Sequence, residues 1–192
     1  MKITVYCASS SVVDEIYREA TRDLGRLIGE RGHTLVFGGT DIGLMGVLAR
    51  AVREAGGAVV GIIPRRMAEH DIVFRDADEL LVTETMAERK ALMEEHGDGY
   101  IALPGGFGTL EELAEVVTLK QLRYLDGPIA LVNTAGFYHH FLAHLEHLYE
   151  TGFAYSVYRD VYQTVDTPRQ ALEYVEGYRP STYPEKWEPP VG

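Results

Sequence analysis

The sequence predicts an α/β fold in which a doubly wound parallel sheet carries helices on both faces. Short, continuous apolar segments alternate along the chain with longer amphipathic segments. The apolar segments are typical of strands that are buried on both faces, as strands of a parallel sheet are. Because parallel strands need crossover connections, the intervening helices cover the sheet, which gives a three-layer, Rossmann-like arrangement.

Glycine and proline mark the ends of the first predicted elements. Residues 2–7 (KITVYC) form a strand, and residues 13–32 form a helix that ends at a glycine. Residues 34–39 (TLVFGG) form a strand that enters a glycine turn, and the helix at 43–57 also ends in glycine. The strand at 58–64 (AVVGIIP) is stopped by its proline.

The second half of the chain continues the alternation. We predict strands at 79–83, 100–106, 128–133 and 161–165, and helices at 84–97, 109–124, 135–152 and 168–177. A chain of 192 residues is long enough for one domain, which we place at residues 1–177. The tail at 178–192 holds four of the eight prolines, and we expect it to be an irregular extension.

Composition limits the partners and the compartment. The formal net charge of -11 repels phosphate backbones, so we do not expect nucleic-acid binding. We expect no membrane span and no signal peptide, because no apolar stretch of about 18 residues exists and the N-terminus is typical of a strand. The single cysteine, Cys7, cannot form an internal disulfide, which fits a cytoplasmic protein. An anionic ligand would have to be attracted locally, by backbone amides and a few cations.

Polar and flexible residues collect where the predicted strands end. Because ligands bind at the carboxyl ends of strands in open parallel sheets, these segments form the predicted site. They are CASSS (7–11), FGGTDIGLMG (37–46), IIPRR (62–66), TETMAERK (83–90) and LPGGFGT (103–109).

The glycine-rich segment LPGGFGT is the strongest candidate for a phosphate site. It matches neither the dinucleotide fingerprint nor the P-loop, since the first strand ends in CASSS and GGTDIG is not followed by lysine. Gly105, Gly106 and Gly108 allow positive φ and a close approach of the backbone, and a helix from Thr109 adds free amides. An ordinary glycine turn with a Thr109–Glu112 capping box remains an alternative.

Charged residues beside this loop also have two interpretations. Glu111 and Glu112 in the first turn of a helix are either ordinary N-terminal acids or carboxylates that face developing positive charge. Arg89 and Lys90 are either a solvated face or a cation pair opposite the loop. The helix at 109–124 is apolar on two sides, which predicts a subunit interface close to the site.

Two motifs resemble signatures of the Lonely Guy family. PGGFGTLEE is similar to the family's P-G-G-x-G-T-x-x-E, and MAERK is similar to its M-H-x-R-K. The likeness covers roughly residues 2–155. It implies hydrolysis of the N-glycosidic bond of a nucleoside 5′-monophosphate, either a cytokinin riboside monophosphate or AMP, to the free base and ribose 5-phosphate. It also implies no metal or organic cofactor, and a homodimer with composite active sites.

The resemblance assigns roles to individual residues. Glu112 would stabilise an oxocarbenium-like sugar and orient water, and Arg89 would hold the ribose, as the second catalytic residue. The phosphate would bind at Gly105, Gly106, Gly108 and Thr109, and the remaining expected substrate contacts are Lys90, Glu111, Glu69, Ser10 and Thr118.

Two departures from the family pattern affect substrate preference. Ala87 replaces the usual histidine of the second motif, and Asp41 stands where a small hydroxyl is commoner. Chains of this kind are often labelled lysine decarboxylases, but the sequence shows no pyridoxal-phosphate type of site. A non-catalytic nucleotide or molybdenum-cofactor carrier with the same fold is the alternative function, although a carrier needs no acid at the sugar.

Other reactive side chains have structural explanations. His140, His144 and His147 are spaced to share one helix face, and we expect that face to be partly exposed rather than a metal site, since no Cys or Asp cluster accompanies it. Cys7 ends a strand without an evident base, so we expect buried packing rather than a nucleophile.

Overall fold

The computed structural model describes residues 1–180 and contains a seven-stranded, entirely parallel sheet. Its strands are β1 Lys2–Tyr6, β2 Thr34–Phe37, β3 Ala58–Pro64, β4 Glu79–Thr83, β5 Gly99–Ala102, β6 Ile129–Val132 and β7 Gln163–Val165. The predicted α/β, doubly wound fold is therefore confirmed. Apart from its first three residues, the predicted tail at 178–192 lies outside the described residues.

Seven helices connect and cover these strands within the described part of the chain. They are α1 Glu15–Glu30, α2 Gly43–Glu54, α3 Arg65–Ala68, α4 Met86–Glu95, α5 Phe107–Gln121, α6 His139–Glu150 and α7 Pro168–Gly177. The short α3 was not predicted, because one turn gives no helical periodicity. Helix α6 begins four residues later than predicted, because Ala135 and Gly136 have positive φ in a preceding 3-10 turn.

The order of the strands places a crevice beside β1. The sheet runs β4-β3-β2-β1-β5-β6-β7, so the chain winds outward from β1 in one direction and then resumes at β5 in the other. Ile3 of β1 pairs with Leu35 on one side and with Gly99 on the other. Loops that follow β1 and β5 therefore separate toward opposite faces, and ligands bind at such a point.

Apolar side chains fill both faces of the sheet. On one face α1, α2 and α7 bury residues such as Leu24, Leu48 and Leu172. On the other face α4 and α5 bury Met93 and Val116. None of the helices in residues 1–180 is long and apolar enough to cross a membrane.

A buried tyrosine supports the segment that leads into the glycine loop. Tyr138 is 1% exposed, and its hydroxyl donates a 2.6 Å hydrogen bond to the carbonyl of Leu103. Leu103 follows β5 directly and its amide donates to the Tyr6 carbonyl of β1. The start of the loop is thus held from the β1 side and from the α6 side of the sheet.

Candidate active site

A cavity of about 220 Å³ lies at the carboxyl ends of β1 and β5. Its wall includes Cys7 and Ser9 after β1, Gly38 after β2, Arg89 on α4, and residues 106–109, 111 and 112 of the glycine loop and α5. Segments that the sequence placed at separate strand ends therefore meet in one cavity.

A buried ion pair forms the charged centre of this cavity. Arg89 Nη1 donates to Glu112 Oε1 at 2.7 Å, and the two side chains are only 9% and 10% exposed. The Nε of Arg89 also donates to the carbonyl of Ile62 at the end of β3, at 3.1 Å. The guanidinium is thus fixed by the sheet as well as by the carboxylate, which leaves little freedom for either group.

Helix geometry brings the two residues of the pair together. Thr85 caps α4 by accepting a hydrogen bond from the Glu88 amide, so Arg89 lies at the end of the first turn.

Burial raises the pKa of the Glu112 carboxyl above its ordinary value, and Arg89 opposes that rise. Arg89 therefore favours the carboxylate form of Glu112 at a place where burial favours the protonated acid.

The glycine loop differs from the sequence prediction in two ways. Helix α5 begins at Phe107 with Gly106 as its N-cap, so Thr109 is already helical and the Thr109–Glu112 capping box is wrong. Glu111 and Glu112 consequently lie in the second turn of α5 rather than in the first. The loop glycines have no positive φ, whereas Gly39 and five other glycines do. The backbone conformation therefore does not require glycine at these positions, and the reason for glycine depends on the space around each one.

The three loop glycines meet two kinds of environment. A Cβ at Gly105 would lie 2.1 Å from Thr109 Oγ1, so Gly105 makes room for this buried threonine. A Cβ at Gly106 or Gly108 would meet no atom within 4 Å. The amides of the first turn of α5, at Phe107 to Thr109, have no earlier carbonyl in their helix to bind. The loop thus presents free amides beside open space, as an anion site requires.

Lys90 and Glu111 contact each other beside the cavity. The Nζ of Lys90 donates to Glu111 Oε1 at 2.8 Å and forms an ion pair with Glu115 Oε2, also at 2.8 Å. Glu111 lines the cavity, but Lys90 does not. Their predicted direct contacts with substrate remain predictions.

Three other predicted contacts lie outside the cavity of this chain. Ser10 closes a local turn, with its Oγ accepting from the Val12 amide at 3.3 Å, and Glu69 is exposed at the end of α3. Thr118 donates to the Ala114 carbonyl at 2.8 Å and lines a separate apolar groove between α5 and α6.

The two departures from the family pattern, Asp41 and Ala87, both lie away from the cavity. Asp41 forms an ion pair with Arg50 of α2, so the charge of its carboxylate is compensated by a guanidinium outside the cavity. Ala87 is exposed in the first turn of α4. Neither side chain lines the cavity.

Sequence reasoning missed the methionines of the cavity. Four of the five methionines in the chain line it: Met45, Met67, Met86 and Met93. They come from three different helices, so no spacing in the sequence relates them. Their thioethers form a soft, polarisable wall that adapts to flat or branched apolar groups.

The three histidines are exposed and the cysteine is buried, as expected. Over residues 1–180, no group of three or more His, Cys, Asp or Glu side chains is placed to hold a metal ion. His140, His144 and His147 are exposed on α6. Cys7 is 7% exposed, and burial raises the pKa of its thiol, so the thiolate is disfavoured.

Solved structures of known proteins share the fold. The molybdenum cofactor carrier protein of Chlamydomonas reinhardtii superposes with a TM-score of 0.70 over 91% of this chain and 95% of that one, at 20% identity. The molybdenum cofactor binding protein of Rippkaea orientalis gives a TM-score of 0.68, also at 20% identity, over 91% of this chain and 93% of that one. At such identity the likeness concerns the architecture alone.

Sequence comparisons are more specific. A family model described as "Possible lysine decarboxylase" matches residues 45–175. The cytokinin riboside 5′-monophosphate phosphoribohydrolase LOG5 of Arabidopsis thaliana is 40% identical over 93% of this chain and 78% of its own length. The enzyme LOG of Oryza sativa subsp. japonica is 38% identical over 93% of this chain and 74% of its own. With both signature motifs gathered in one cavity, the chain belongs to the Lonely Guy family of phosphoribohydrolases.

Proposed function

We propose that this protein hydrolyses the N-glycosidic bond of a nucleoside 5′-monophosphate and releases the free base and ribose 5-phosphate. The observation that carries the proposal is the buried Arg89–Glu112 pair. It lies next to the free amides of the glycine loop, in the cavity at the carboxyl ends of β1 and β5. The relatives named as cytokinin riboside 5′-monophosphate phosphoribohydrolases support the same reaction.

The carboxylate of Glu112 is suited to the step in which the base leaves. Departure of the base puts positive charge on C1 and the ring oxygen of the ribose, and a fixed carboxylate stabilises that charge. The base departs with the electron pair of the C1–N bond, water adds at C1 and gives its proton to Glu112, and this proton then passes to the departed base, which restores the carboxylate. Because the Glu112 side chain is only 10% exposed, the attraction between this carboxylate and the sugar cation is stronger than it would be in bulk water.

Arg89 has two tasks in this scheme. Its guanidinium favours the ionised form of Glu112, and its remaining N–H groups donate to hydroxyls of the ribose. The hydrogen bond to the Ile62 carbonyl fixes the plane of the guanidinium before substrate arrives. Substrate binding therefore does not have to order this side chain, which favours the reaction.

The glycine loop supplies the phosphate site. Free amides at the start of α5 and the helix dipole attract the 5′-phosphate, while the rest of the surface, with a net charge of -11, does not. Phosphate held at Gly106, Gly108 and Thr109 positions the ribose at the Arg89–Glu112 pair, so that binding energy from a remote group serves the bond that breaks.

We also propose a homodimer with composite sites. Thr118 lies two turns beyond Glu111 on α5, in an apolar groove that Val117, Phe141 and Leu145 also line. A second copy packed on this groove would bury it and bring Thr118 near the partner's cavity. Light scattering on the purified protein should give twice the monomer mass, and a concentration-independent monomer would contradict this.

The reaction is tested by incubation with AMP and with N6-isopentenyl-AMP, measuring ribose 5-phosphate. We expect release of ribose 5-phosphate from at least one nucleotide, and no release from the matching 5′-hydroxyl riboside. No product at micromolar enzyme would contradict the proposal and favour a carrier. Equal rates with the phosphate-free riboside would contradict the role of the glycine loop.

We place the protein in the cytoplasm. Its one cysteine is free and buried, which fits a reducing compartment. Detection in a soluble cytoplasmic fraction, with a cytoplasmic marker as reference, tests this placement.

A further inference from the structure

Three side chains beside the catalytic pair form a compact charge cluster. The ammonium of Lys90 on α4 contacts carboxylates of Glu111 and Glu115, which lie four residues apart on α5. The Lys90 side chain is 14% exposed, whereas Glu111 is 60% exposed and Glu115 is 36% exposed. The carboxylates thus enclose the ammonium. We call Lys90, Glu111 and Glu115 the clasp.

The clasp joins the same two helices as the catalytic pair. Arg89 and Lys90 are adjacent on α4, and Glu111 and Glu112 are adjacent on α5. A movement of α5 along or away from α4 would therefore stretch both bridges at once. Helix α4 buries Arg89 and Met93, and Leu92 packs against the same apolar cluster, so few apolar side chains fix its position. Charge contacts therefore contribute to the distance between these helices.

We propose that Lys90 is a positioning residue, which through the clasp holds α5 against α4 so that the Glu112 carboxylate meets the Arg89 guanidinium in the reacting geometry. The inference rests on the proposed function, which makes that pair catalytic. It replaces direct contact of Lys90 with substrate, because two carboxylates already surround the ammonium. An ammonium bound in this way contributes less to attracting a phosphate.

The clasp also acts on the charge state of Glu112. Several ionisable groups influence or are influenced by Glu112: Arg89, Lys90 and Glu94 of α4, Tyr6 of β1, Cys7 after β1, and Glu111 of its own helix. Among them Lys90 lowers the pKa of Glu112 and Glu111 raises it. Loss of Lys90 should therefore raise that pKa, and loss of the Glu111 charge should lower it. General damage to the fold would not produce opposite shifts.

The kinetic experiment compares Lys90→Met, Lys90→Arg and the double variant Glu111→Gln/Glu115→Gln, with Glu95→Gln as a control at the exposed end of α4. We expect Lys90→Met to lower kcat about 10- to 100-fold with KM changed less than about threefold, as expected for misplacement of about 1 Å. Lys90→Arg should retain most of kcat. The double variant should also lose kcat, although its ammonium is free. A KM raised tenfold or more in Lys90→Met, with the double variant fully active, would overturn the proposal.

A second readout does not depend on activity. Carboxyl ¹³C NMR of labelled protein follows the titration of Glu112, assigned by its loss in Glu112→Gln. Relative to wild type, the titration should move to higher pH in Lys90→Met and to lower pH in Glu111→Gln. Unchanged midpoints, or shifts in the same direction, would overturn the clasp. If the wild-type protein cleaves no nucleotide, the proposed function fails, but the titration still decides whether the clasp controls Glu112.

Discussion

Gly38 should be required because of Arg89 rather than because of its own backbone. It lies just after β2, and an ideal Cβ placed there would be 2.2 Å from Arg89 Nη2 and 3.0 Å from Met45 Sδ. Its φ is not in the left-handed region, so the backbone itself accepts alanine. Gly38→Ala therefore adds one methyl group directly against the guanidinium of Arg89, for which we propose a catalytic role.

The size of the effect follows from these distances. Ordinary van der Waals contact begins near 3.4 Å, so the guanidinium must retreat by about 1.2 Å. The 2.7 Å bond to Glu112 and the 3.1 Å bond to the Ile62 carbonyl do not both survive such a shift. A displacement of that order costs about 100-fold in kcat/KM. The displaced guanidinium keeps its charge near the Glu112 carboxylate, so the folded state loses one buried hydrogen bond rather than the whole ion pair, and we expect a loss of about 1–2 kcal/mol.

The assay measures ribose 5-phosphate release together with thermal unfolding. Gly177→Ala, where a Cβ meets no atom within 4 Å, is the matched control, and Arg89→Ala sets the expected maximum loss. We expect Gly38→Ala to unfold within a few degrees of wild type and to lose activity, while Gly177→Ala changes neither. Activity of Gly38→Ala within threefold of wild type would refute the argument, and so would a fall in Tm of more than about 10 °C.

Three further predictions follow from the site. Glu112→Gln removes the charge that stabilises the sugar cation, so kcat should fall about 100- to 1,000-fold; full activity measured by product release would contradict the assignment. Burial, and after it the charge of Glu115, raises the pKa of Glu94 to about 7, so the folded state prefers protonated Glu94. Stability from this group is then present below about pH 4.5 and lost as pH rises toward 7. Glu94→Gln should therefore stabilise the protein at pH 8 and not at pH 4; because Glu94 is only half-buried, we discount the effect to about 1–2 kcal/mol, checked by denaturant unfolding at both pH values. The double variant Arg89→Met/Glu112→Leu should be inactive yet at least as stable as wild type by the same unfolding measurement, whereas Glu112→Leu alone should lose about 3–5 kcal/mol.

Local pattern predicted the elements well because most strands are short apolar runs that end at glycine, proline or polar residues. The strands Ala58–Pro64 and Glu79–Thr83 have the predicted bounds. The start of α5 was placed two residues late, because Gly108 was taken for turn rather than helix. Glycine at the second position of a helix carries no local signal, and only the structure shows that Gly106 is the N-cap.

The site was predictable where motif residues touch each other, and not where unrelated segments supply the wall. Arg89 and Glu112 were identified from their motifs, and they are in contact. Gly38 and Met67 depend on how the loops after β2 and β3 approach the cavity. That approach is a consequence of strand order and sheet twist, which no local spacing encodes. The one signal in the sequence for Gly38 was its place in the glycine pair that ends the predicted strand at 34–39.

The buried Arg89–Glu112 pair is better explained by function than by stability. Taking two charges out of water costs several kcal/mol each, and their attraction repays this only when the remaining hydrogen-bonding capacity is used. Arg89 binds Glu112 and the Ile62 carbonyl, which leaves N–H groups on a guanidinium that lines a cavity. Apolar side chains already fill both faces of the sheet, so the fold does not need an ion pair at this position. In the proposed reaction the unused N–H groups bind the ribose and the carboxylate stabilises the positive charge that forms on it, so these interactions recover in the transition state what folding loses.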